Sequence, residues 1–434
     1  MKKLIFALLL LPSVMLAQHK ISGTFTPAAS FKAAILYKLD SSKNDYINNA
    51  DIVNGNFEIP LDASLKPGMY RIVYALPQEQ YNFNFIYNNE DIVFKYDQKN
   101  GASFLLSKEN ILLSNYRDNM YSIKSKLNTF YGKGDQNKAE YTACISELKS
   151  IQDTAETASE GMLAHVFIKA EKPYIPTTFE DAATYYNNYK INYFKPIDFS
   201  NPVLQNSSFL MDSALNYVFI FADKQAKNTS YKNNIDDVVR VTSKEKAIQK
   251  SILEVLWSQF KDRNNEEVAN YISSKYLEKL LDPVKDEMLL SDMKAFQNTA
   301  IGATAPDFSW PSKQGSSKLS LLRGKDFYIV AFWSSTCSHC LTELPVLKNY
   351  LGNKANIQVL AIGLEDERPN WEKTIADYPE FTQIYGFGKW NNPITIDYGI
   401  SETPTFFVLD KNKKIVAKPD DVEALITFLD AQKS

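Results

Sequence analysis

The chain has 434 residues, 44% of them hydrophobic and 23% charged, with 48 basic against 51 acidic side chains and a formal net charge of −3. That is globular composition, long enough for two or three domains, and the balanced charge leaves no electrostatic case for nucleic acid or an anionic membrane surface. Three cysteines, Cys144, Cys337 and Cys340, are too few for a small disulfide-stapled scaffold.

In chain order, residues 1–17 read as a secretory signal peptide: Lys2 and Lys3, the apolar run Leu4 to Leu11, then Ala17 as cleavage residue. The run is far short of the roughly 20 residues a spanning helix needs. Met15 is bulky for its place two before the cut, which leaves the cut less defined than the signal. No cysteine follows the run to carry a lipid, and no later stretch is apolar enough to span a bilayer. A mature protein without a membrane span, exported to the periplasm or cell envelope where disulfides form, is expected.

Residues 18–106 read as an antiparallel β-sandwich domain. "YNFNFIYNNEDIVFKY" alternates aromatic with polar residues, Tyr81, Phe83, Phe85 and Tyr87 against Asn82 and Asn84, as a half-buried strand does. Asn54-Gly55 is suited to the positive φ angles of a tight hairpin turn. Residues 107–299 read as an α-helical domain. "EKAIQKSILEVLWSQF" places Ile248, Ile252, Val255, Leu256 and Phe260 near one stripe, and "EVANYISSKYLEKLL" repeats the pattern until Pro283 ends it. The tyrosine- and asparagine-rich stretch from Tyr185 to Phe199 reads as loops between helices. His165 stands alone, Cys144 is most simply a lone buried thiol, and no catalytic constellation falls in this region.

Residues 300–434 alternate strand and helix. "FYIVAFW" is the continuous apolar run of a strand buried on both faces. A helix runs from the cysteine pair to about Tyr350. Next come the strand "IQVLAIGL", the helix "PNWEKTIADY", the hairpin "TPTFFVLD" and "KKIVAK", and the closing helix "DVEALITFLDA". This is the element order of a thioredoxin core.

Three uses of the Cys337-Ser338-His339-Cys340 pair compete. A structural zinc site wants about four ligands, and only His339 is near, between the cysteines, where it does not easily join them on one ion. A staple across two residues removes little chain entropy. A redox pair explains the placement. Cys337 falls at a helix N-terminus, where unpaired backbone N–H groups and the helix dipole favour a thiolate. Cys340 follows on the same helical face, in reach of Cys337 and more shielded from solvent. Cys337 then exchanges with a substrate disulfide or dithiol and Cys340 resolves the mixed disulfide. No cofactor beyond that disulfide and no metal is expected.

"IGATAPDF", "LSLLRGKDFYIVAFWSSTCSHCLTELP" and "GISETPTFFVLD" together resemble the TlpA/ResA-like branch of the exported thioredoxin superfamily, over about the last third of the chain. The resemblance implies a thioredoxin fold, the redox motif on Cys337 and Cys340, the preceding aromatic on Trp333, a functional carboxylate on Glu343, and the cis-proline on Pro404, with Thr403 offering backbone bonds to a substrate peptide. It also implies protein thiol or disulfide substrates, a DsbD-like membrane-bound redox partner and a part in cytochrome c maturation and envelope redox homeostasis. Two departures stand out. The buried aspartate of cytoplasmic thioredoxins is replaced by Ala331, so Glu343 is the candidate proton acceptor. His339 before the second cysteine is as in DsbA-like oxidants, and it stabilises the thiolate and pushes the potential upward. A reductant is the leading reading. A DsbA-like oxidant or isomerase, a peroxiredoxin, and a binding or assembly protein with an accessory thioredoxin-like domain are the alternatives. Ser334 occupies the place where peroxidatic sites keep a threonine. The first two regions resemble, weakly, the β-rich module and helices that precede thioredoxin domains in some exported bacterial proteins, and selecting substrate or docking a partner is the role that architecture suggests.

Overall fold

A computed structural model describes residues 19–40, 44–134, 137–312, 315–352 and 354–432. The segment read as a signal peptide lies outside the described residues. The chain divides into two compact units, one up to Ile252 and one from Leu253.

The first unit opens with eight strands, β1 (Lys20–Thr26), β2 (Ala33–Lys38), β3 (Asp45–Asp51), β4 (Asn56–Pro60), β5 (Gly68–Val73), β6 (Asn82–Tyr87), β7 (Ile92–Asp97) and β8 (Gly101–Leu106). They form two four-stranded sheets in the orders β4-β1-β7-β8 and β3-β2-β5-β6. Their facing sides share one core in which Phe25, Phe57, Phe85 and Phe94 are buried. The alternation of β6 therefore marks core, with Phe83 and Phe94 ring centroids 4.9 Å apart. Gly23 on β1 is required by that packing. A Cβ there would come within 2.6 Å of the Phe57 and Phe94 rings.

Two details differ from the sequence reading. The sandwich is not wholly antiparallel, because β1 and β7 pair parallel, Ile21 opposite Ile92. Asn54 and Gly55 do turn with positive φ, 51° and 80°. The turn closes only the Val53–Asn56 bridge, and its flanking strands β3 and β4 then join different sheets.

Helices follow: α1 (Lys108–Gly132), α2 (Lys138–Ala158), α3 (Ala164–Ala170), α4 (Ala182–Asn192), α5 (Pro202–Gln205), α6 (Phe209–Ile220), α7 (Lys227–Val241) and α8 (Lys246–Lys261), the last spanning the division between units. Ser107 caps α1 by accepting from Asn110 N, and Leu113, Tyr116, Met120, Ile123 and Leu127 make its buried stripe. Of the stretch from Tyr185 to Phe199 expected as loops, the part up to Asn192 is corrected by α4, while residues 193–199 are turn and loop. Asp181 caps this helix by accepting from Thr184 N. Its tyrosines recur at a spacing of four, and no residue is fully buried, so the stretch lacks the apolar stripe that betrays a helix in sequence. Cys144 is free and buried, and burial pushes its thiol pKa up.

The second unit carries α9 (Glu266–Lys275) and α10 (Glu287–Asn298). The helix expected to run to Pro283 stops earlier: Tyr276 leaves helical geometry at φ −128°, and a single 3-10 turn, Leu277–Lys279, follows. Leu277 is the buried apolar residue there, with Leu280 and Leu281 half-exposed. Beyond lie β9 (Ser309–Ser312), β10 (Gly315–Lys318), β11 (Phe327–Trp333), α11 (Ser338–Leu351), β12 (Ile357–Glu365), α12 (Arg368–Ile375), β13 (Thr382–Phe387), α13 (Pro393–Asp397), β14 (Thr405–Asp410), β15 (Ile415–Ala417) and α14 (Val422–Ala431). Five strands make one sheet in the order β13-β12-β11-β14-β15. β11 to β13 run parallel, and β14 and β15 are antiparallel to their neighbours.

The central strand β11 shows why its sequence reads as an unbroken apolar run. Ile329, Ala331 and Trp333 face a core with Leu344, Leu347 and Leu425. Tyr328, Val330 and Phe332 face a second core with Phe308, Leu360 and Phe407. Neither side meets water. The expected strand, helix, hairpin and closing helix are all present. β13, the β9–β10 hairpin and α13 are additional.

Candidate active site

β11 ends at the fully buried Trp333, and the chain turns through Ser334, Ser335 and Thr336 before α11 begins. Local bonds hold that turn. Cys337 N donates to Ser334 O at 3.1 Å, and Thr336 N to Ser334 Oγ at 3.3 Å. Ser335 N donates to a carboxylate oxygen of Glu365 at the end of β12. Glu365 is only 3% exposed, so its carboxyl oxygen is committed to holding this loop. Sequence reasoning passed over Glu365. The available signal was an acidic residue closing an otherwise apolar strand, "IQVLAIGLE".

Cys337 is the N-cap of α11, with extended backbone at φ −90° and ψ 113°, and its Sγ accepts from Cys340 N at 3.2 Å. A sulfur in that position sits against unpaired N–H groups and the positive end of the helix, which favours its anionic form. Cys340 lies one turn into the helix with no exposure, in the core formed with Trp333 and Leu344. The two sulfurs are joined as a disulfide, with Cα atoms 5.3 Å apart. Cys337 is partly exposed, so one sulfur meets solvent and the other does not.

Thr403–Pro404 is a cis peptide, and the Thr403 carbonyl oxygen lies 3.3 Å from Cys337 Sγ. Backbone rather than side chain thus faces the exposed sulfur. Beside Pro404 opens a cavity of about 410 Å³ whose walls include Glu266, Glu402, Thr405 and Lys418. Lys418 Nζ bonds Glu266 Oε1 at 2.6 Å across that wall.

The structure thus gathers Cys337, Cys340, Trp333, Thr403 and Pro404. Glu343 stands one turn beyond Cys340, and its Oε2 accepts from Val422 N at 3.0 Å, at the start of α14. Burial holds the Glu343 carboxyl above the usual carboxylate range. The Val422 bond opposes this, Asp421 and Glu423 add to it, and His339 opposes it. His339 itself is exposed on the helix. Ala331, where cytoplasmic thioredoxins keep an aspartate, is fully buried between Ala361 and Phe406, so no carboxylate approaches Cys340 from β11. Pro345 lies inside α11, and the helix continues past it to Leu351. Among the described residues, no cluster of three histidine, cysteine or acidic side chains is placed to hold a metal ion.

The pattern of the family described as Thioredoxin-like matches residues 324–415. The thiol-disulfide oxidoreductase ResA of Geobacillus thermodenitrificans is 31% identical over 127 residues, 27% of this chain and 67% of that protein. The chain belongs to the thioredoxin-like thiol-disulfide oxidoreductases. ResA of Bacillus thuringiensis is 30% identical over 125 residues, again 27% of this chain and 67% of the relative. Among solved structures, a thiol-disulfide oxidoreductase from Bacteroides fragilis is 28% identical and covers 30% of this chain and 98% of its own, with a TM-score of 0.27. For a thiol-disulfide oxidoreductase the arrangement of sulfurs has a direct meaning. One sulfur of the pair is open to solvent at the helix N-terminus and the other is enclosed, an asymmetry that exchange through a mixed disulfide can use.

Proposed function

We propose that this protein is an exported, periplasmic or envelope thiol-disulfide oxidoreductase that reduces disulfides in protein substrates through Cys337 and Cys340, with residues 300–434 as the catalytic domain. One observation carries the reading: Cys337 Sγ accepts a backbone N–H at the start of α11 while Cys340 is fully buried behind it.

In the reduced enzyme the Cys337 thiolate attacks one sulfur of a substrate disulfide. A Cys337–substrate bond forms, the substrate S–S bond breaks, and the first substrate thiolate leaves. Glu343 then takes the Cys340 proton. The Cys340 thiolate attacks Cys337 Sγ, the mixed disulfide breaks, and the second substrate thiolate departs. The substrate gains two electrons and the Cys337–Cys340 disulfide is left. A partner dithiol returns those electrons, a DsbD-like membrane protein being the partner class suggested. Thr403 and Pro404 line the substrate's approach, Trp333 backs the buried sulfur, and His339 tunes the pair. The lysine-rich, apolar amino terminus supports export, and among the described residues no helix is long and apolar enough to cross a membrane. Maturation of cytochrome c is a role in keeping with this chemistry.

The test is a titration of the purified chain against dithiol buffers, with tryptophan fluorescence as readout, alongside trapping with Cys340→Ala. A reversible two-electron transition near thioredoxin's roughly −270 mV supports a reductant, and one toward roughly −120 mV an oxidant. Cys340→Ala is expected to accumulate mixed disulfides through Cys337. A chain that neither titrates nor traps a substrate defeats the reading.

A further inference from the structure

The first unit contains a second candidate site, unrelated to the cysteines. Tyr185 and Tyr189 stand one turn apart on α4, and Tyr193 follows at its end. Ring centroids of Tyr185 and Tyr189 are 6.3 Å apart and nearly parallel, and those of Tyr189 and Tyr193 are 6.0 Å apart. Tyr189 lies between two cavities. One, of about 400 Å³, is walled by Tyr131, Tyr185, Tyr189 and Phe221. The other, of about 540 Å³, receives Asn84, Asn192, Asn216 and Asp212. Lys124 of α1 lines both. Interiors leave few voids larger than a water molecule, whereas small-molecule sites occupy about 300–1,000 Å³ and combine apolar walls with a few placed polar groups.

Charge decides what would fit. Arg117 is committed to Glu171, its Nε 3.0 and 3.2 Å from the two carboxylate oxygens. Lys172 pairs with Glu156 at 2.8 Å. Asp212 forms no ion pair among the described residues and is balanced in number by Arg71, whose charged form it favours. The Lys124 ammonium forms no hydrogen bond or ion pair among the described residues, and burial holds it below its ordinary pKa against the pull of Glu171. One cation is therefore left over, half-buried, where an aromatic wall meets a polar chamber. A single uncompensated charge matches a monoanion better than a phosphate, and the tyrosine faces match a flat apolar body.

We propose that these two cavities, which share Lys124 and Tyr189 in their walls, bind a small carboxylate with an aromatic body, its carboxylate on Lys124 and its ring against Tyr185 and Tyr189. This inference is independent of the redox reading. N-acetyl-phenylalanine and N-acetyl-phenylalaninamide, titrated calorimetrically into the full chain, test it. A charge-assisted bond predicts that the acid binds about tenfold to a hundredfold tighter than the amide. Lys124→Met, which keeps the apolar stem, is expected to weaken the acid at least tenfold and leave the amide unchanged. Lys124→Arg is expected to recover most of the loss, and Tyr189→Ala to weaken both ligands alike. Equal affinity for acid and amide, no binding of the acid at millimolar concentration, or an acid affinity indifferent to Lys124→Met would each overturn it.

Discussion

The two units concentrate their chemistry in opposite ways. In the second, it sits at one loop: Trp333, Cys337 and Cys340 are neighbours in sequence, and only Glu365 and the Thr403–Pro404 peptide come from elsewhere. In the first, the polar groups that meet in one cavity run from Asn84 to Asn216 along the chain, and no two of them form a motif. A reaction that needs a poised sulfur can be built on one helix end. A cavity needs several elements to stand apart, so its residues are scattered by construction.

Substitutions can break or sharpen this contrast. The largest effect belongs to the compact site. Cys337→Ser should reduce disulfide exchange to background, as followed by insulin reduction with a dithiol. Cys340→Ala should keep the first half-reaction yet stop turnover. Full activity in either variant would break the comparison outright. Next, Phe94→Ala in the sandwich core should cost about 3–5 kcal/mol of stability, measured by urea denaturation, since Phe94 is 1% exposed and meets Phe25, Phe57 and Phe83. Exchange activity per folded molecule should stay at the wild-type level.

Glu343→Gln should slow turnover about 10²-fold while leaving the rate of first attack by Cys337 unchanged, as seen in stopped-flow fluorescence. The sign of its pH effect follows from its raised pKa. The folded state keeps the proton to higher pH than the unfolded chain, so wild-type stability contributed by this group is present below the usual carboxylate pKa near 4.5 and declines as pH rises through the higher folded value. Glu343→Gln should remove that slope from the denaturation midpoints. Glu365→Ala strips the partner from Ser335 N and should cost about 1–3 kcal/mol, with a measurable shift in the potential of the cysteine pair. Smallest of all, Lys126→Met breaks an exposed pair with Glu147, 2.9 Å apart between α1 and α2, and should cost no more than about 1 kcal/mol with exchange unaltered.

The same contrast governs what was legible in the sequence. The thioredoxin-like unit was readable because its strands are buried on both faces and its reactive groups are three residues apart. Glu365 shows in the sequence only as an acidic residue closing an apolar strand, and its partner, a backbone N–H thirty residues away, is not marked by any local pattern. In the sandwich, aromatic alternation located β6, but the parallel pairing of β1 with β7 depends on which edges meet, and local pattern does not encode that. α4 is hard to read because its tyrosines are only partly buried, with none of its residues fully so, leaving no apolar stripe. Lys124 looked like one lysine among many, and only its position beside two cavities sets it apart.

The concealment of Cys340 has a further consequence. Of this pair, a thiol or alkylating agent arriving from outside meets Cys337 and not Cys340. Alkylation of the reduced pair should therefore stop at one sulfur in the folded chain and reach the second only after unfolding.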